Sequence, residues 1–471
     1  VFLGADLEAT GDIFRDDFKI SDVVLRDDFD QKFDLKMVRG AEILAFYGLY
    51  CAHGNINLEN LRAANTNSFA GFGYWAGRGT DLSGIGADVV VRFGKYTVLD
   101  GAGIFAGSSI TEMIFDGTPR ISSALFGGNS ANLTLRKVTF TADNLVIESY
   151  AFSGCIMLGN IEFKGSVASI GDYAFMQVGV ASIKYELVQT IFGPIPKMEG
   201  DLKVTFDSTC KRIGSYAFAR SAIKEITLPA GLEKLESYSF LACEDLAKVT
   251  IAKDCNLETV DGIGLKGAPF VMSDNISEYI VETGHEKFMS KGGAIFTKDG
   301  KTIIAVPSNC ATDPATLLDG VEEIGDYAFA YAYGVEGEEG KDVSVNIVIP
   351  ETVKKIGVGA FLYSTNLKSV VLPTTITEIP DVAFANCENL VSVDFNGNSA
   401  ITSIGAAAFV NSAIEEITLP RDLTSIGVQA FSGCAKLTSV AFPRGITEVP
   451  VQAFANCTSL RTVFFNKVET I

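Results

Sequence analysis

The sequence has very few of the residues on which most metal sites and acid–base sites depend. It contains two histidines among 471 residues, His53 and His285, and a single tryptophan. Histidine is a frequent general base and the commonest metal ligand, so this scarcity disfavours zinc sites and histidine-based catalysis. The sequence also has no serine-nucleophile elbow, no phosphate-binding loop and no zinc-protease motif. We therefore expect no enzyme activity, no cofactor and no metal ion.

Positive charge is scarce as well. The chain has 38 Lys and Arg against 57 Asp and Glu, a formal net charge of −19. An acidic chain repels phosphate groups, so we expect neither nucleic acid nor an anionic membrane surface as a partner. The longest nearly apolar run, residues 41–52, contains Glu42 and is too short to span a bilayer, so no transmembrane segment is expected. The chain begins at Val1, and we expect processing or trimming to have removed the true start.

What the sequence does contain is a repeat of about 23 residues. An Ala-Phe pair recurs at 151–152, 174–175, 217–218, 328–329, 360–361, 383–384, 408–409, 430–431 and 453–454. An apolar step, usually Ile-Gly, precedes the pair. A short strand-like segment that ends in proline follows it, as in residues 417–420. One such unit cannot bury its apolar side alone, so we expect the units to stack and their Phe side chains to form an interior ladder.

The motif at residues 426–443, Ile-Gly-x-x-Ala-Phe-x-x-Cys-x-x-Leu-x-x-Val-x-Phe-Pro, resembles the BspA-like class of leucine-rich repeats. The resemblance covers roughly residues 90–471. It implies secreted or surface-anchored proteins of host-associated bacteria and some protists, which are linked to adhesion and are mostly not enzymes. The expected fold is a β-rich solenoid of the leucine-rich-repeat type: a right-handed coil of ~23-residue strand-turn units, with an irregular N-terminal cap and one inserted β-hairpin.

The regularity of the repeat suggests the domain organisation. Residues 1–40 lack the repeat and are expected to form an N-terminal cap or irregular region, and residues 41–471 the solenoid. Within the solenoid, we expect degenerate repeats at 41–140, an insertion with a hairpin at 255–318, and regular repeats at 320–471.

The hairpin prediction rests on two β-rich runs, residues 293–297 and 302–306, which flank Asp299-Gly300. This hairpin is interpreted either as a structural brace or as an arm that contacts a ligand. Two further breaks in the period are the Pro-rich segment 193–196 and the glycine-rich acidic loop 334–340.

Five cysteines lie three residues after the repeat Phe, where other coils carry Ser or Ala: Cys155, Cys243, Cys387, Cys434 and Cys457. Small size is what these residue types share, so we expect buried packing thiols. Cys434 and Cys457 fall in consecutive coils, but stacked side chains run parallel, and a disulfide needs converging Cβ vectors. We therefore predict free thiols.

Three other features have a plain interpretation. The aspartates of residues 12–30 and the glutamates of 336–339 lack the spacing of a calcium-binding loop, so a solvated acidic surface is expected. The aromatic-glycine stretch 69–79 is interpreted as packing under the cap or as a binding patch. The glycosylation sequons at Asn132, Asn275 and Asn456 matter only in a eukaryotic source.

The candidate binding residues are those that lie between two core residues of each strand and therefore face outwards. They are Thr227, Thr250, Val348, Val371, Asp394, Thr418, Ala441 and Phe464. On a leucine-rich-repeat horseshoe this row lines the concave β-face, which suits an extracellular protein or glycan. The leading hypothesis is a non-catalytic surface or secreted protein that binds such a macromolecule in adhesion. The alternative is a structural protein that assembles end to end into a surface lattice, sheath or filament.

The C-terminal edge raises the question of self-association. The sequence stops at Ile471, in the middle of a repeat. Three outcomes are open: the natural chain continues, another copy stacks on the edge, or the tail folds back as a cap.

Overall fold

The computed structural model describes most of the chain from residue 89 onwards and short segments before it. The described residues are 7–9, 38–41, 54–58, 63–65, 89–108, 110–126, 134–179, 202–206, 209–257, 269–270, 272–333, 344–398 and 400–470. Several features named above lie outside these ranges: the two acidic clusters, the stretch 69–79, the segments 193–196 and 334–340, Asn132, and nearly all of residues 1–40.

The chain divides into two compact units. Unit 1 comprises Val1–Leu246 and Cys255–Glu258, and unit 2 comprises Ala247–Asp254 and Thr259–Ile471. The described strands of unit 1 are β1 (Leu7–Ala9), β2 (Val38–Ala41), β3 (Gly54–Leu58), β4 (Ala63–Asn65), β5 (Val89–Phe93), β6 (Val98–Asp100), β7 (Glu112–Phe115), β8 (Arg120–Ile121), β9 (Lys137–Phe140), β10 (Leu145–Ile147), β11 (Asn160–Phe163), β12 (Val167–Ile170), β13 (Lys203–Thr205), β14 (Arg212–Ile213), β15 (Glu225–Leu228) and β16 (Lys234–Leu235).

Fifteen of the described strands of unit 1, all except β15, form three parallel sheets. Their orders are β3-β5-β7-β9-β11-β13, β8-β10-β12-β14-β16 and β1-β2-β4-β6. Strands that are one coil apart in sequence are neighbours in space, as a parallel coil requires. Along the first sheet the inward residues stay in register, and Met113, Val138 and Ile161 stack in the core.

Unit 2 contains β17 (Lys248–Ile251), β18 (Glu278–Val281), β19 (Phe288–Lys291), β20 (Ala294–Thr297), β21 (Thr302–Ala305), α1 (Pro314–Leu318), β22 (Glu323–Ile324), β23 (Val345–Val348), β24 (Lys355–Ile356), β25 (Leu367–Val371), β26 (Glu378–Ile379), β27 (Ser392–Asp394), β28 (Ser403–Ile404), β29 (Ser425–Ile426), β30 (Ser439–Ala441) and β31 (Thr462–Phe464). Its parallel groups are β17-β18, β21-β22-β24, β23-β25-β27, β26-β28-β29 and β30-β31. The repeat therefore builds a β-solenoid in each unit, and the predicted fold class is confirmed.

The inserted hairpin is confirmed too. Strands β19, β20 and β21 pair antiparallel, and β21 then pairs parallel with β22 and so continues into the solenoid sheet. At the turn, the Asp299 carboxylate accepts hydrogen bonds from the Lys301 amide (3.0 Å) and the Thr297 hydroxyl (2.7 Å). This continuity with the sheet is what a structural brace requires.

The core of each unit is a ladder of the repeat phenylalanines, as predicted. In unit 1, Phe175 stacks on Phe152 and on Phe218, with ring centroids 5.2 Å apart in both pairs. In unit 2, Phe384 stacks between Phe361 (5.0 Å) and Phe409 (5.4 Å). These rings are fully buried. The centroid spacing follows the spacing of paired strands, about 4.8 Å, because each coil contributes one ring.

The turn around each repeat Phe contains two residues in the left-handed backbone region. The first lies two residues before the Phe, and the second lies two residues after it. Tyr173 (φ 58°) and Gln177 (φ 59°) illustrate the two positions around Phe175. Side chains are tolerated at both positions, although this conformation costs a non-glycine residue about 1–2 kcal/mol. Glycine is required at Gly359, where a Cβ would lie 2.3 Å from the Tyr327 ring.

Candidate binding surfaces of the two units

The residues predicted to form a binding row in unit 2 are brought into register by strand pairing. Val348 of β23 pairs with Val371 of β25, which pairs with Asp394 of β27. Ala441 of β30 pairs with Phe464 of β31. We call the outward row Val348, Val371, Asp394, Thr418, Ala441 and Phe464 the strand face of unit 2.

Three threonines of the predicted row, Thr227, Thr250 and Thr418, differ from the other members in the strand or unit in which they lie. Thr227 lies on β15 of unit 1 and is exposed. Thr250 on β17 pairs with Ile280 of β18, a neighbour that the sequence did not reveal because this coil carries no Ala-Phe pair. Thr418 was expected on a strand, but residues 413–420 form no described strand. The alternation nevertheless holds, since Thr418 is exposed between buried Ile417 and Leu419.

The strand face of unit 2 exposes apolar side chains. Val348 retains 63% of its accessible surface and Phe464 retains 60%. Val371 is half-buried, and Asp394 is the one acidic residue of the row. The Asp394 carboxylate accepts a hydrogen bond from the Asn396 amide (2.7 Å), so it caps its own turn. The side chains at the two ends of this row are therefore available for burial against another molecule.

The corresponding face of unit 1 is covered by ion pairs. Lys137 on β9 lies between Glu112 on β7 (3.4 Å) and Glu162 on β11 (3.8 Å). The Thr139 hydroxyl donates a hydrogen bond to Glu162 (3.4 Å). These contacts run across three neighbouring strands, so the charges of this face are largely satisfied within the unit.

The cysteines three residues after the repeat Phe have a role beyond small size. Cys243, Cys387 and Cys434 each donate a thiol hydrogen bond to the carbonyl oxygen of a repeat Phe one coil earlier, at 3.2, 3.0 and 3.2 Å. Ser364 donates the corresponding bond at 2.7 Å. The position therefore favours a small hydrogen-bond donor, which explains why Cys and Ser recur there. The structure has the eight described cysteines as free thiols, and Cys51 lies outside the described residues.

Burial controls the protonation of these thiols. It raises the pKa of Cys243 to about 11 and that of Cys387 to about 12. The hydrogen bond with Cys457, together with burial, also raises the pKa of Cys434, whereas the same hydrogen bond lowers the pKa of Cys457. Most of these thiols are therefore protonated and poorly reactive at neutral pH.

A further surface, which the sequence analysis missed, consists of four tyrosines two residues before the repeat Phe in unit 1. We call Tyr150, Tyr173, Tyr216 and Tyr238 the tyrosine row. Their rings stack at 4.6, 4.8 and 5.0 Å between centroids. The signal was present as the recurring triplet Tyr-Ala-Phe, with Ser in place of Ala at residue 239.

In the ranges given above, no three side chains of His, Cys, Asp or Glu are grouped so that they could hold a metal ion. None of the helices described there combines the length and apolar character that crossing a membrane would require.

The parallel coils, the phenylalanine ladder and the outward rows together define a leucine-rich-repeat solenoid. The model of the BspA type leucine rich repeat region matches six copies, in residues 120–193, 201–263 and 341–461. These matches cover more than half of the sequence, and the chain belongs to this family.

Among solved structures, the chain is similar to a leucine rich cell surface protein from Faecalibacterium prausnitzii A2-165 at 20% identity. The match covers 87% of this chain and 84% of that one, with a TM-score of 0.42. A leucine-rich repeat protein from Bacteroides ovatus ATCC 8483 matches at 19% identity over 82% of this chain and 87% of that one, with a TM-score of 0.43. No curated protein sequence matches the chain significantly.

Proposed function

We propose that the chain is a non-catalytic cell-surface or secreted protein that binds an extracellular protein or glycan in adhesion, through the strand face of unit 2. The supporting observation is the exposed apolar character of that face. Val348 and Phe464 are both more than half exposed in a chain with a net charge of −19. Burial of such side chains contributes about 1.5–3 kcal/mol each, and interfaces draw much of their affinity from a few residues of this kind.

Rigid spacing supports the same proposal. Val348, Val371 and Asp394 are fixed in register by backbone pairing, so a partner meets a surface whose geometry is set before binding. A pre-organised surface loses less conformational entropy on association than a flexible loop does. Membership of a family built from stacked repeats agrees with this role, because such scaffolds present extended surfaces.

The test is a binding screen against purified extracellular-matrix proteins and an array of glycans, followed by variants of the strand face. Val348→Glu and Phe464→Glu are each expected to weaken binding of a screened ligand at least tenfold, because each puts a charge into a desolvated contact. Val451→Glu is the matched control, since Val451 is 71% exposed but lies on a turn and not on the strand face. Equal affinity of all four proteins, or no ligand in the screen, would contradict the proposal.

A second candidate function is self-assembly through the far edge of β31. Within the described residues, β31 pairs with β30 only. Phe465 is about half exposed, and its inner face stacks on Phe442 at 5.5 Å. An open strand edge beside exposed aromatic rings is a template for association with a second copy.

Light scattering of the 471-residue chain over a concentration series tests this candidate. A particle size that grows with concentration, and that Phe465→Asp returns to the size of a monomer, would support it. A monomer at every concentration would exclude it and leave the binding proposal intact.

A further inference from the structure

The tyrosine row of unit 1 holds four phenol rings in a fixed stack. Between Tyr150 and Tyr173 the centroid distance is 4.6 Å and the interplanar angle 4°, and between Tyr173 and Tyr216 they are 4.8 Å and 2°. The last pair, Tyr216 and Tyr238, is tilted by 28° at 5.0 Å. Because the rings are nearly parallel and displaced by one coil, equivalent carbon atoms of neighbouring rings are separated by about the centroid distance.

The backbone fixes this stack. The Tyr150 amide donates to the Asp172 carbonyl (3.0 Å), the Tyr173 amide to Ser215 (2.9 Å) and the Tyr216 amide to Ser237 (3.3 Å). The φ angles of the four tyrosines lie between 55° and 61°. The Cα–Cβ bonds of the four tyrosines therefore leave their coils in the same direction, which lets the rings lie over one another.

The rings are also within reach of solvent. Tyr150 is 36% exposed, and the other three tyrosines are half-buried. Desolvation, followed by the neighbouring phenols of Tyr150 and Tyr216, raises the pKa of Tyr173, so the phenol stays protonated at neutral pH. The row thus presents phenol rings, side by side, at the surface of a rigid turn.

We propose that the tyrosine row is a site of oxidative coupling, at which a haem peroxidase with hydrogen peroxide joins neighbouring coils of unit 1 through dityrosine. Each of two neighbouring phenols loses one hydrogen atom from its O–H bond and becomes a phenoxyl radical. The two radicals form one C–C bond between ring carbons ortho to oxygen. Each of those carbons then loses its hydrogen as the phenol O–H is restored. Overall, two tyrosines are oxidised by two electrons, and one peroxide is reduced to two waters.

Proximity is what selects these tyrosines. Radical coupling is second order, and holding two reactants side by side replaces a bimolecular encounter with an intramolecular step of high effective concentration. Coupling within one chain is therefore favoured over coupling between chains in dilute solution. Each link would tie together residues that are distant in sequence, such as Tyr173 and Tyr216, and would restrict the unfolded chain.

The sequence makes each link identifiable by mass spectrometry. Trypsin sites separate the four tyrosines, with Lys164 after Tyr150, Arg212 after Tyr173 and Lys234 after Tyr216. After treatment of dilute full-length protein with peroxidase and peroxide, the monomer is expected to yield three cross-linked peptide pairs, 150–173, 173–216 and 216–238. Tyr331 and Tyr363 of unit 2, stacked at 4.9 Å, are expected to give a fourth pair.

Phenylalanine variants keep the stack but cannot couple. Within the row, Tyr173→Phe is expected to lose the first two links and retain 216–238, whereas Tyr216→Phe is expected to retain only 150–173. Tyr96→Phe is the control: Tyr96 is exposed and lies 4.7 Å from the Lys95 ammonium, and its loss is expected to change none of these links. The proposal is overturned if the monomer contains no links within the row, or if the two row variants leave the pattern unchanged.

Discussion

The two units share one repeat but differ in the side chains that the repeat leaves free. Two residues before the repeat Phe, unit 1 carries the stacked tyrosine row, whereas unit 2 carries in turn Tyr327, Gly359, Val382, Ala407, Gln429 and Gln452. All of these residues have positive φ angles. The backbone of the coil thus accepts many residue types at this position, although a neighbouring side chain can restrict the choice, as Tyr327 does at Gly359.

The outward faces of the strands also carry different side chains in the two units. In unit 1, Lys137 and its two glutamates cover the face with ion pairs, and in unit 2 the row from Val348 to Phe464 is mostly uncharged. What the two units share is the buried phenylalanine ladder. The repeat therefore specifies the core, whereas the side chains of the surface rows differ between the units.

The largest effect is expected where the units are alike. Phe175→Ala in unit 1 and Phe384→Ala in unit 2 each remove a fully buried ring that stacks on both sides, so each is expected to cost about 3–5 kcal/mol. Urea unfolding followed by circular dichroism checks this. A cost well below 2 kcal/mol in one unit only would break the equivalence of the two ladders.

The buried thiols give a second effect that both units share. An unfolded thiol has a pKa of 9.0, and burial raises the pKa of Cys243 to about 11. Because the unfolded chain releases its proton first, the contribution to stability is complete below pH 9 and is lost as the pH rises towards 11. At pH 10.5 the loss is on the order of 2 kcal/mol.

The measurement is the urea midpoint at pH 7.5 and at pH 10.5. Cys243→Ser keeps the hydrogen bond to the Phe218 carbonyl but does not titrate, so it is expected to lose less stability at high pH than the wild-type chain. Cys387→Ser is the corresponding variant of unit 2. An unchanged pH dependence in both variants would show that the thiols stay protonated in the unfolded chain or ionise freely in the folded one.

How far the sequence could predict these features depends on periodicity. The phenylalanine ladder, the strands and the hairpin follow from residues that recur or alternate, and the structure has them as expected. The Thr-Leu-Pro context of Thr418 predicts a strand, but residues 413–420 form none. The side chains still alternate between buried and exposed, because this alternation does not require the hydrogen bonds of a β-ladder. Ile280 was missed because its coil carries no Ala-Phe pair. The donor role of Cys387 depends on a carbonyl one coil away, which no local pattern reports.

A third prediction tests the difference between the turn rows. Tyr173→Ala removes stacking on two neighbours and is expected to cost about 1–2 kcal/mol, since each aromatic pair contributes about 0.5–1.5 kcal/mol. Gln429→Ala removes one exposed hydrogen bond to Gln452 (2.6 Å) and is expected to cost less than about 0.5 kcal/mol. Tyr173→Phe, which retains the stack, is the control and should be nearly neutral. Equal costs for the two alanine variants would remove the distinction between the rows.

The smallest effect concerns the charges on the strand faces. Lys137 of unit 1 is only partly exposed and lies between two glutamates, one on each neighbouring strand. Lys137→Gln therefore removes one attraction to each glutamate. We expect a cost of about 0.5–1 kcal/mol at low salt, at the upper end for surface pairs, because one ammonium serves two carboxylates. In unit 2, Lys436 lies 3.9 Å from Glu415 with both side chains well exposed, and Lys436→Gln is expected to have no measurable effect.

At 1 M salt the Debye length falls to about 3 Å, and the cost of Lys137→Gln is expected to shrink towards that of Lys436→Gln. Urea midpoints of the three proteins at 20 mM and 1 M sodium chloride decide the matter. A cost for Lys137→Gln that salt leaves unchanged would mean that the aliphatic stem of the lysine, and not its charge, stabilises the face of unit 1.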